Sequence, residues 1–250
     1  MNYLNIIIKK YDRVIIYNVG LLCVIGIVML YSASSIQSLV ETGYETDTTY
    51  LISHLKRLFL GIAILTIFMF IDYRNYRSYH FQIILCVLAL LVFTKLYYMF
   101  NGINRPSRWI YLGPISVQTS DIARLGLIIF LAGYIDRKKN QLQDFYTGFL
   151  PPILIVVFIM FLIVIQPDFS TAILLGSIGL IMLFIGGANM SHLLVTSATG
   201  LCVAVPVLLM EPYRMERVLA WLKRKEDISA IGYQAYQSLI SLGNGGILGR

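Results

Sequence analysis

Long runs of apolar residues dominate the chain, and charged or polar positions end each run. A helix needs about 20 mainly apolar residues to cross the hydrocarbon core of a bilayer. Runs of that length predict seven membrane spans, at residues 14–34, 52–72, 80–100, 116–135, 148–166, 169–187 and 190–210. Only Gln166-Pro167-Asp168 separates the fifth span from the sixth, which predicts a tight hairpin at Pro167. The pattern indicates an all-α polytopic membrane protein with a single integral membrane domain over residues 1–250.

The composition agrees with this prediction. Hydrophobic residues make up 58% of the 250 residues and charged residues only 13%, and the mean hydropathy is +0.74. Neither a soluble enzyme nor a secreted domain has such a composition. The formal net charge of +7 is explained by basic residues that flank membrane spans, so nucleic-acid binding is not indicated.

Basic residues mark every second loop and predict the orientation. They precede the first span, follow the second at Arg74 and Arg77, and follow the fourth at 137–139. Short basic loops face the cytoplasm, so we expect a cytoplasmic N-terminus and an outer segment over residues 211–250. That segment either binds an anionic lipid-linked ligand or forms an interfacial helix that snorkels its basic side chains. Its basic residues are Arg214, Arg217, Lys223, Arg224 and Lys225.

A first polar cluster runs from Arg108 and Trp109 to the start of the fourth span. Ionisable groups at membrane depth are costly unless they face a cavity or a partner, so they are candidates for a functional site. Asp121 and Arg124 are three residues apart, which places them on one helix face within pairing reach. The pair either lines a polar groove or is an ordinary ion pair near a helix N-terminus that Ser120 or Thr119 caps.

A second polar cluster lies at the hairpin between the fifth and sixth spans. Asp168 is predicted to cap the N-terminus of the sixth span. Capping does not explain why Gln166, Asp168 and Thr171 gather at the same outer face as Arg108, where they could converge on a head group.

Metal and nucleotide chemistry is not indicated. His54, His80 and His192 lie at three different span ends without ligand spacing, so we predict no metal site and interpret them as interfacial anchors. The glycine-rich segment 243–246 lacks the Lys-Ser/Thr of a phosphate loop and is predicted to be a flexible turn.

Several strings along the chain carry a family resemblance. They are Tyr31-Ser32-Ala33-Ser34, Arg108-Trp109-Ile110 with Leu112-Gly113, Gln118 to Arg124, Gln166-Pro167-Asp168 with Thr171-Ala172, Gly232-Tyr233-Gln234, Gln237-Ser238-Leu239-Ile240, and Gly245-Gly246. With these strings the chain resembles the SEDS family of bacterial membrane proteins, the FtsW/RodA/SpoVE group of peptidoglycan polymerases. The resemblance implies a larger bundle of about ten helices.

The chain departs from the family pattern at a few positions. The family usually has Gln-Pro-Ser-Glu with a Lys three residues after the Glu, where this chain has Thr119, Asp121 and Arg124, so the charge signs survive. Ser170 replaces a usual glycine. Gly-Tyr-Gln at 232–234, in place of Gly-Tyr-His, favours the division protein FtsW over the elongation branch.

The resemblance implies a peptidoglycan glycosyltransferase of the bacterial cytoplasmic (inner) membrane, which polymerises lipid II in cell division or cell-shape maintenance. Its implied partners are lipid II, membrane lipids and a class B penicillin-binding protein. The Asp regarded as catalytic in the family lies beyond Arg250, so the 250 residues alone are expected to be inactive. No cofactor is indicated, and the sequence leaves open whether a divalent cation assists the pyrophosphate. The candidates for lining the substrate cavity are Arg108, Trp109, Gln118, Ser120, Asp121, Arg124, Gln166, Asp168, Thr171, Gln234 and Gln237.

Two other classes of function stay open. Buried charges between helices also mark the substrate path of a transporter or lipid flippase, although the sequence shows no convincing internal repeat. A division scaffold that binds its partners through its helices is the third interpretation.

Overall fold

A computed structural model describes residues 12–72, 74–100, 107–112, 115–210, 215–216 and 233–246. In this part of the chain eight α-helices and one β-hairpin are present. The helices are α1 (Arg13–Glu41), α2 (Thr49–Met69), α3 (Arg74–Phe100), α4 (Thr119–Lys138), α5 (Leu150–Ile165), α6 (Phe169–Ile185), α7 (Met190–Leu209) and α8 (Tyr233–Gly245). The hairpin pairs β1 (Trp109–Leu112) with β2 (Ile115–Gln118), and a π-helical turn, Phe145–Phe149, leads into α5.

The chain divides into two compact units. The first comprises Met1–Tyr76 and Tyr111–Val117, and the second comprises Arg77–Ile110 and Gln118–Arg250. In the first unit polar contacts at one end join α1 to α2, because the Ser38 hydroxyl accepts a hydrogen bond from the backbone N–H of Thr49 at 3.0 Å. Most apolar side chains of α1 and α2 are exposed, as expected where lipid is the solvent.

Apolar residues of α3, α4, α5 and α6 form the core of the second unit. The fully buried members are Ile84, Leu91, Ala123, Leu127, Leu131, Ile159, Ile163 and Leu175. Glycines allow α3 and α4 to approach closely: a Cβ added at Gly133 would lie 2.7 Å from the Cβ of His80, and one added at Gly126 would lie 2.5 Å from a methyl of Val87. Small residues are the usual means of close helix contact in membranes.

The seven predicted spans correspond to α1 to α7. Within the described ranges, five helices are long and apolar enough to cross a membrane, namely α1, α2, α3, α7 and the segment Phe145–Ile165 that contains α5. The helix α6 is apolar but shorter, with 17 residues, and α4 carries charged residues in its first and last turns.

Two helix limits differ from the limits of the predicted spans. The fourth span was placed from residue 116, but residues 115–118 form β2 and the helix begins at Thr119. The alternation of Ile115, Ser116, Val117 and Gln118 has the period of two that is typical of a strand. The first helix also continues to Glu41, beyond the predicted end at residue 34, because a helix can extend past the apolar run that crosses the bilayer.

The glycine-rich segment near the end of the chain is another correction. It was predicted to be a flexible turn, but Gly243, Asn244 and Gly245 belong to α8. The φ angle becomes positive only at Gly246, at +57°, and a left-handed glycine is a common helix terminator. The basic residues 214, 217 and 223–225 lie outside the described residues.

Two of the predicted cytoplasmic loops meet at one end of the second unit. Arg77 forms an ion pair with Asp136, and Arg137 Nη2 donates a hydrogen bond to the Arg77 carbonyl at 3.0 Å. The two loops therefore share one side of the helix bundle, as the alternation of basic loops requires. The direction of the bundle relative to the cytoplasm stays a prediction.

Candidate functional site

The turn between α5 and α6 brings polar groups to the other end of the second unit. The Ile163 carbonyl accepts hydrogen bonds from the backbone N–H groups of Gln166 at 3.0 Å and Asp168 at 3.2 Å, which closes the chain tightly around Pro167. Asp168 Oδ1 then accepts the N–H of Thr171 at 3.4 Å and caps α6. The predicted hairpin and the predicted cap are both confirmed.

The Asp168 carboxylate does more than cap a helix. The residue is only 6% exposed. Its Oδ2 accepts hydrogen bonds from Gln118 Nε2 at 2.9 Å and from the Ser120 hydroxyl at 3.3 Å. A buried carboxylate is costly unless it is paired and hydrogen-bonded, and here the end of β2 and the first turn of α4 supply the donors. Asp168 thereby fastens the start of α4 to the start of α6.

The Arg108 side chain lies beside this carboxylate but does not form a hydrogen bond with it. One guanidinium nitrogen, Nη1, lies 3.9 Å from Asp168 Oδ1, beyond hydrogen-bond distance, and the arginine side chain is 36% exposed. Its Nε is buried, and no described residue hydrogen-bonds to it. The Arg108 carbonyl accepts the Thr119 N–H at 3.0 Å, which anchors the main chain at this position. A guanidinium with a fixed backbone and unused donors is suited to bind an anion.

Gln166 and Thr119 form a second, buried link beneath Asp168. Both residues are fully buried. The Thr119 hydroxyl lies 3.3 Å from both Gln166 Oε1 and the Arg108 carbonyl oxygen, so its single hydrogen is within reach of either acceptor. Gln166 Nε2 donates to the Leu91 carbonyl at 2.9 Å. The main chain at Arg108, the start of α4, the α5–α6 turn and α3 are therefore joined by one polar network.

The predicted capping of α4 by Ser120 or Thr119 was wrong. The N-cap position is Gln118, which makes no side-chain capping bond. The hydroxyls of Thr119 and Ser120 bond instead to Gln166 and Asp168, because a buried amide and a buried carboxylate require partners that water cannot supply.

Asp121 and Arg124 form the predicted pair, with Arg124 Nη2 at 2.9 Å from Asp121 Oδ1. Both side chains are well exposed, at 54% for Asp121 and 40% for Arg124. The two side chains bond to each other, and the hydrogen bonds of the described residues do not join them to the Asp168 network. Its part in a cavity stays a prediction.

The other sequence candidates are placed less directly. Trp109 takes part through its carbonyl, which accepts the Tyr98 hydroxyl at 2.7 Å, and Thr171 takes part through its backbone N–H. Gln237 is exposed on α8, and the side chain of Gln234 lies outside the described residues.

Sequence reasoning missed two residues of α3 that hold this region. Lys95 Nζ donates to the Ile165 carbonyl at 3.1 Å, and Tyr98 makes the contact with Trp109. The signal was present in the sequence, because Lys95 is an ionisable residue inside an apolar span and such residues indicate function.

Comparison with known proteins adds a family context. The model of the FtsW/RodA/SpoVE family, described as cell cycle protein, matches residues 12–250. A probable peptidoglycan glycosyltransferase FtsW of Geobacter sulfurreducens is 32% identical over 247 residues, which cover 97% of this chain and 65% of that protein. Stage V sporulation protein E of Bacillus subtilis is 31% identical over 240 residues, covering 95% of this chain and 64% of that protein. The chain thus spans just under two thirds of the length of these relatives.

Solved structures match as well. One match is a chain from a study of the structural coordination of polymerization and crosslinking by a peptidoglycan synthase complex. It is 26% identical to this chain, with a TM-score of 0.62, and the match covers 89% of this chain and 66% of that chain. The rod shape determining protein RodA of Thermus thermophilus has a TM-score of 0.50 at 23% identity, covering 73% of this chain and 58% of that chain. The latter likeness bears on the fold alone.

Proposed function

Since the chain belongs to the FtsW/RodA/SpoVE family, we propose that the protein is a peptidoglycan glycosyltransferase that polymerises lipid II in the bacterial cytoplasmic membrane. The single observation that carries the proposal is the environment of the Arg108 guanidinium. The guanidinium is held next to a buried carboxylate, is partly exposed, and keeps donors that no described residue uses. Such a group favours an anionic ligand.

The pyrophosphate of lipid II is an anion of the required kind. In glycosyl transfer from a lipid-linked donor, the hydroxyl of one disaccharide attacks the anomeric carbon of the other and the lipid pyrophosphate leaves. Negative charge grows on the leaving group, so a cation already in position lowers the barrier. The planar fork of arginine matches phosphate oxygens better than an ammonium group does. Arg108 is assigned this role.

Asp168 and Gln166 are assigned to holding the cavity in shape. Asp168 is nearly buried and already accepts hydrogen bonds from Gln118 and Ser120, so it orients groups and is not the base. Asp168 Oδ1 lies 3.9 Å from Arg108 Nη1, too far for a hydrogen bond but close enough to keep the two opposite charges adjacent. Asp121 and Arg124 are proposed to line the same cavity further along α4, with Trp109, Thr171, Gln234 and Gln237 as additional lining candidates.

The reaction also needs a carboxylate that accepts the proton of the attacking hydroxyl. We assign none of the described residues to that role. The chain spans 65% of the length of its Geobacter sulfurreducens relative, so the activity is proposed for the full-length protein.

The partner is proposed from a relative. The solved complex that resembles this chain is described as coordinating polymerization with crosslinking. A class B penicillin-binding protein, which crosslinks new glycan, is the corresponding partner for this protein. Similarity to relatives named FtsW favours a role in division.

The test is glycan synthesis from lipid II by the purified full-length protein with its partner. We expect wild type to form polymer, Arg108→Ala to lose about 10²-fold or more in rate, and Arg108→Lys to keep an intermediate rate. Arg137→Ala, at the opposite end of the same unit, is the matched control and should polymerise normally. Lipid transfer between leaflets without any polymer would instead identify a flippase, and normal turnover by Arg108→Ala would refute the role of Arg108.

A further inference from the structure

Three positions on one face of α3 make hydrogen bonds on both sides of the site. Leu91, Lys95 and Tyr98 are spaced by four and three residues, which places them on successive turns of the same helical face. The Leu91 carbonyl accepts Gln166 Nε2 at 2.9 Å. Lys95 Nζ donates to the Ile165 carbonyl at 3.1 Å, and the Tyr98 hydroxyl donates to the Trp109 carbonyl at 2.7 Å.

These contacts are made with chain neighbours of Arg108 and Asp168, the two residues that face each other across the site. Ile165 and Gln166 belong to the turn that carries Asp168, so the contacts of Leu91 and Lys95 fix the carboxylate side. Trp109 directly follows Arg108, so the contact of Tyr98 fixes the guanidinium side. Lys95 and Tyr98 both donate to backbone carbonyls, and they therefore hold main-chain positions.

The chemistry of Lys95 is unusual for an apolar helix. The last carbonyls of a helix have no intrahelical partner and carry partial negative charge, so the ammonium satisfies a group at the end of α5 that lipid could not. The side chain is only partly buried, and its long apolar stem lets it lie along the bundle while its charge reaches the turn. Tyr98 is buried, and its hydroxyl also donates to a backbone carbonyl, that of Trp109.

We propose that Lys95 and Tyr98 are positioning residues that together set the separation between Arg108 and Asp168. This inference rests on the proposed function, because the separation matters for catalysis only if an anionic head group binds at Arg108. Lys95 acts on the Asp168 side and Tyr98 acts on the Arg108 side, and neither touches the reacting atoms.

The kinetic test uses the full-length protein with lipid II as substrate. Tyr98→Phe removes one hydroxyl, and Lys95→Met removes the ammonium while keeping an unbranched apolar side chain. We expect each to lower kcat/KM about tenfold, because small misplacements of positioned groups are costly. Lys95→Arg, which can still donate to the carbonyl, should restore most of the activity. Lys138→Met and Tyr79→Phe, which lie at the far end of the same unit, are matched controls and should behave as wild type.

A second readout does not depend on catalysis. Hydrogen exchange of the folded protein reports local opening. Lys95→Met should speed exchange at the amides of Gln166 and Asp168, and Tyr98→Phe should speed it at the Thr119 amide, which bonds to the Arg108 carbonyl. If wild type makes no glycan but these changes are seen, the proposed function fails and the positional contacts stand. Unchanged exchange, or a loss of activity that Lys95→Arg does not restore, would overturn the inference.

Discussion

Replacing Asp168 by alanine should destabilise the second unit far more than replacing an exposed aspartate of the same unit. The change removes the cap of α6 and the acceptor for two side-chain donors, Gln118 Nε2 at 2.9 Å and the Ser120 hydroxyl at 3.3 Å. Ser120 is fully buried, so its hydroxyl has no access to replacement water.

The magnitude follows from these contacts. Loss of an N-cap side chain costs about 1 kcal/mol. Each hydrogen bond to a charged group contributes about 1.5 kcal/mol or more. With one cap and two such bonds, we expect Asp168→Ala to lower the free energy of unfolding by about 4 kcal/mol, within the range observed when one member of a buried polar pair is removed. Asp168→Asn keeps an acceptor for the cap and should lose about half as much.

The assay is reversible unfolding of the purified protein in mixed micelles with increasing denaturing detergent, followed by circular dichroism. Asp121→Ala is the matched control. Asp121 is 54% exposed and pairs only with Arg124 in the ion pairs of the described residues, so its loss should cost less than about 1 kcal/mol. Equal stabilities of the two variants would refute the reasoning that Asp168 is a buried structural acceptor.

Two further predictions concern the opposite end of the second unit. Gly148→Ala should destabilise the fold strongly in the same unfolding assay, because its Cβ would lie 1.9 Å from the Gln141 carbonyl oxygen, whereas Gly200→Ala, with nothing within 4 Å, should be tolerated. The Thr147 hydroxyl bonds to Asp144 and holds the pKa of that carboxyl below its ordinary 3.8. Asp144 therefore contributes stability that is complete above that value and is lost as the pH falls through the lowered pKa. Thr147→Val should weaken this pH dependence, and an unchanged profile between about pH 5 and about pH 2 would contradict it.

Much of the helical architecture could be predicted, because a helix that lies in lipid needs a long run of apolar residues. The seven apolar runs mark helices α1 to α7, and the tight turn at Pro167 follows from its position between two such runs. The β-hairpin was missed because a four-residue alternation is a weak signal beside a long apolar run. The helix through Gly243 and Gly245 was missed because glycine disfavours helices only by about 1 kcal/mol, which context can override.

The residues of the site could be predicted better than their contacts. Arg108, Gln166 and Asp168 were identified because polar groups at membrane depth are costly unless they face a cavity or a partner. Their partners could not be derived, since the sequence does not show that the Thr119 and Ser120 hydroxyls meet Gln166 and Asp168 across 47 and 48 residues of chain. Lys95 was overlooked because it lies within an otherwise apolar run, the predicted third span.

The most direct test of the central claim is the affinity of the full-length protein for lipid II, measured by titration in lipid nanodiscs. Arg108→Ala should bind at least about tenfold more weakly than wild type, which corresponds to one charge-assisted contact of about 1.4 kcal/mol. Arg137→Ala should bind as wild type does. If Arg108→Ala binds lipid II as tightly as wild type and Arg137→Ala, then Arg108 is not the group that holds the anionic head group, and the proposed site is wrong.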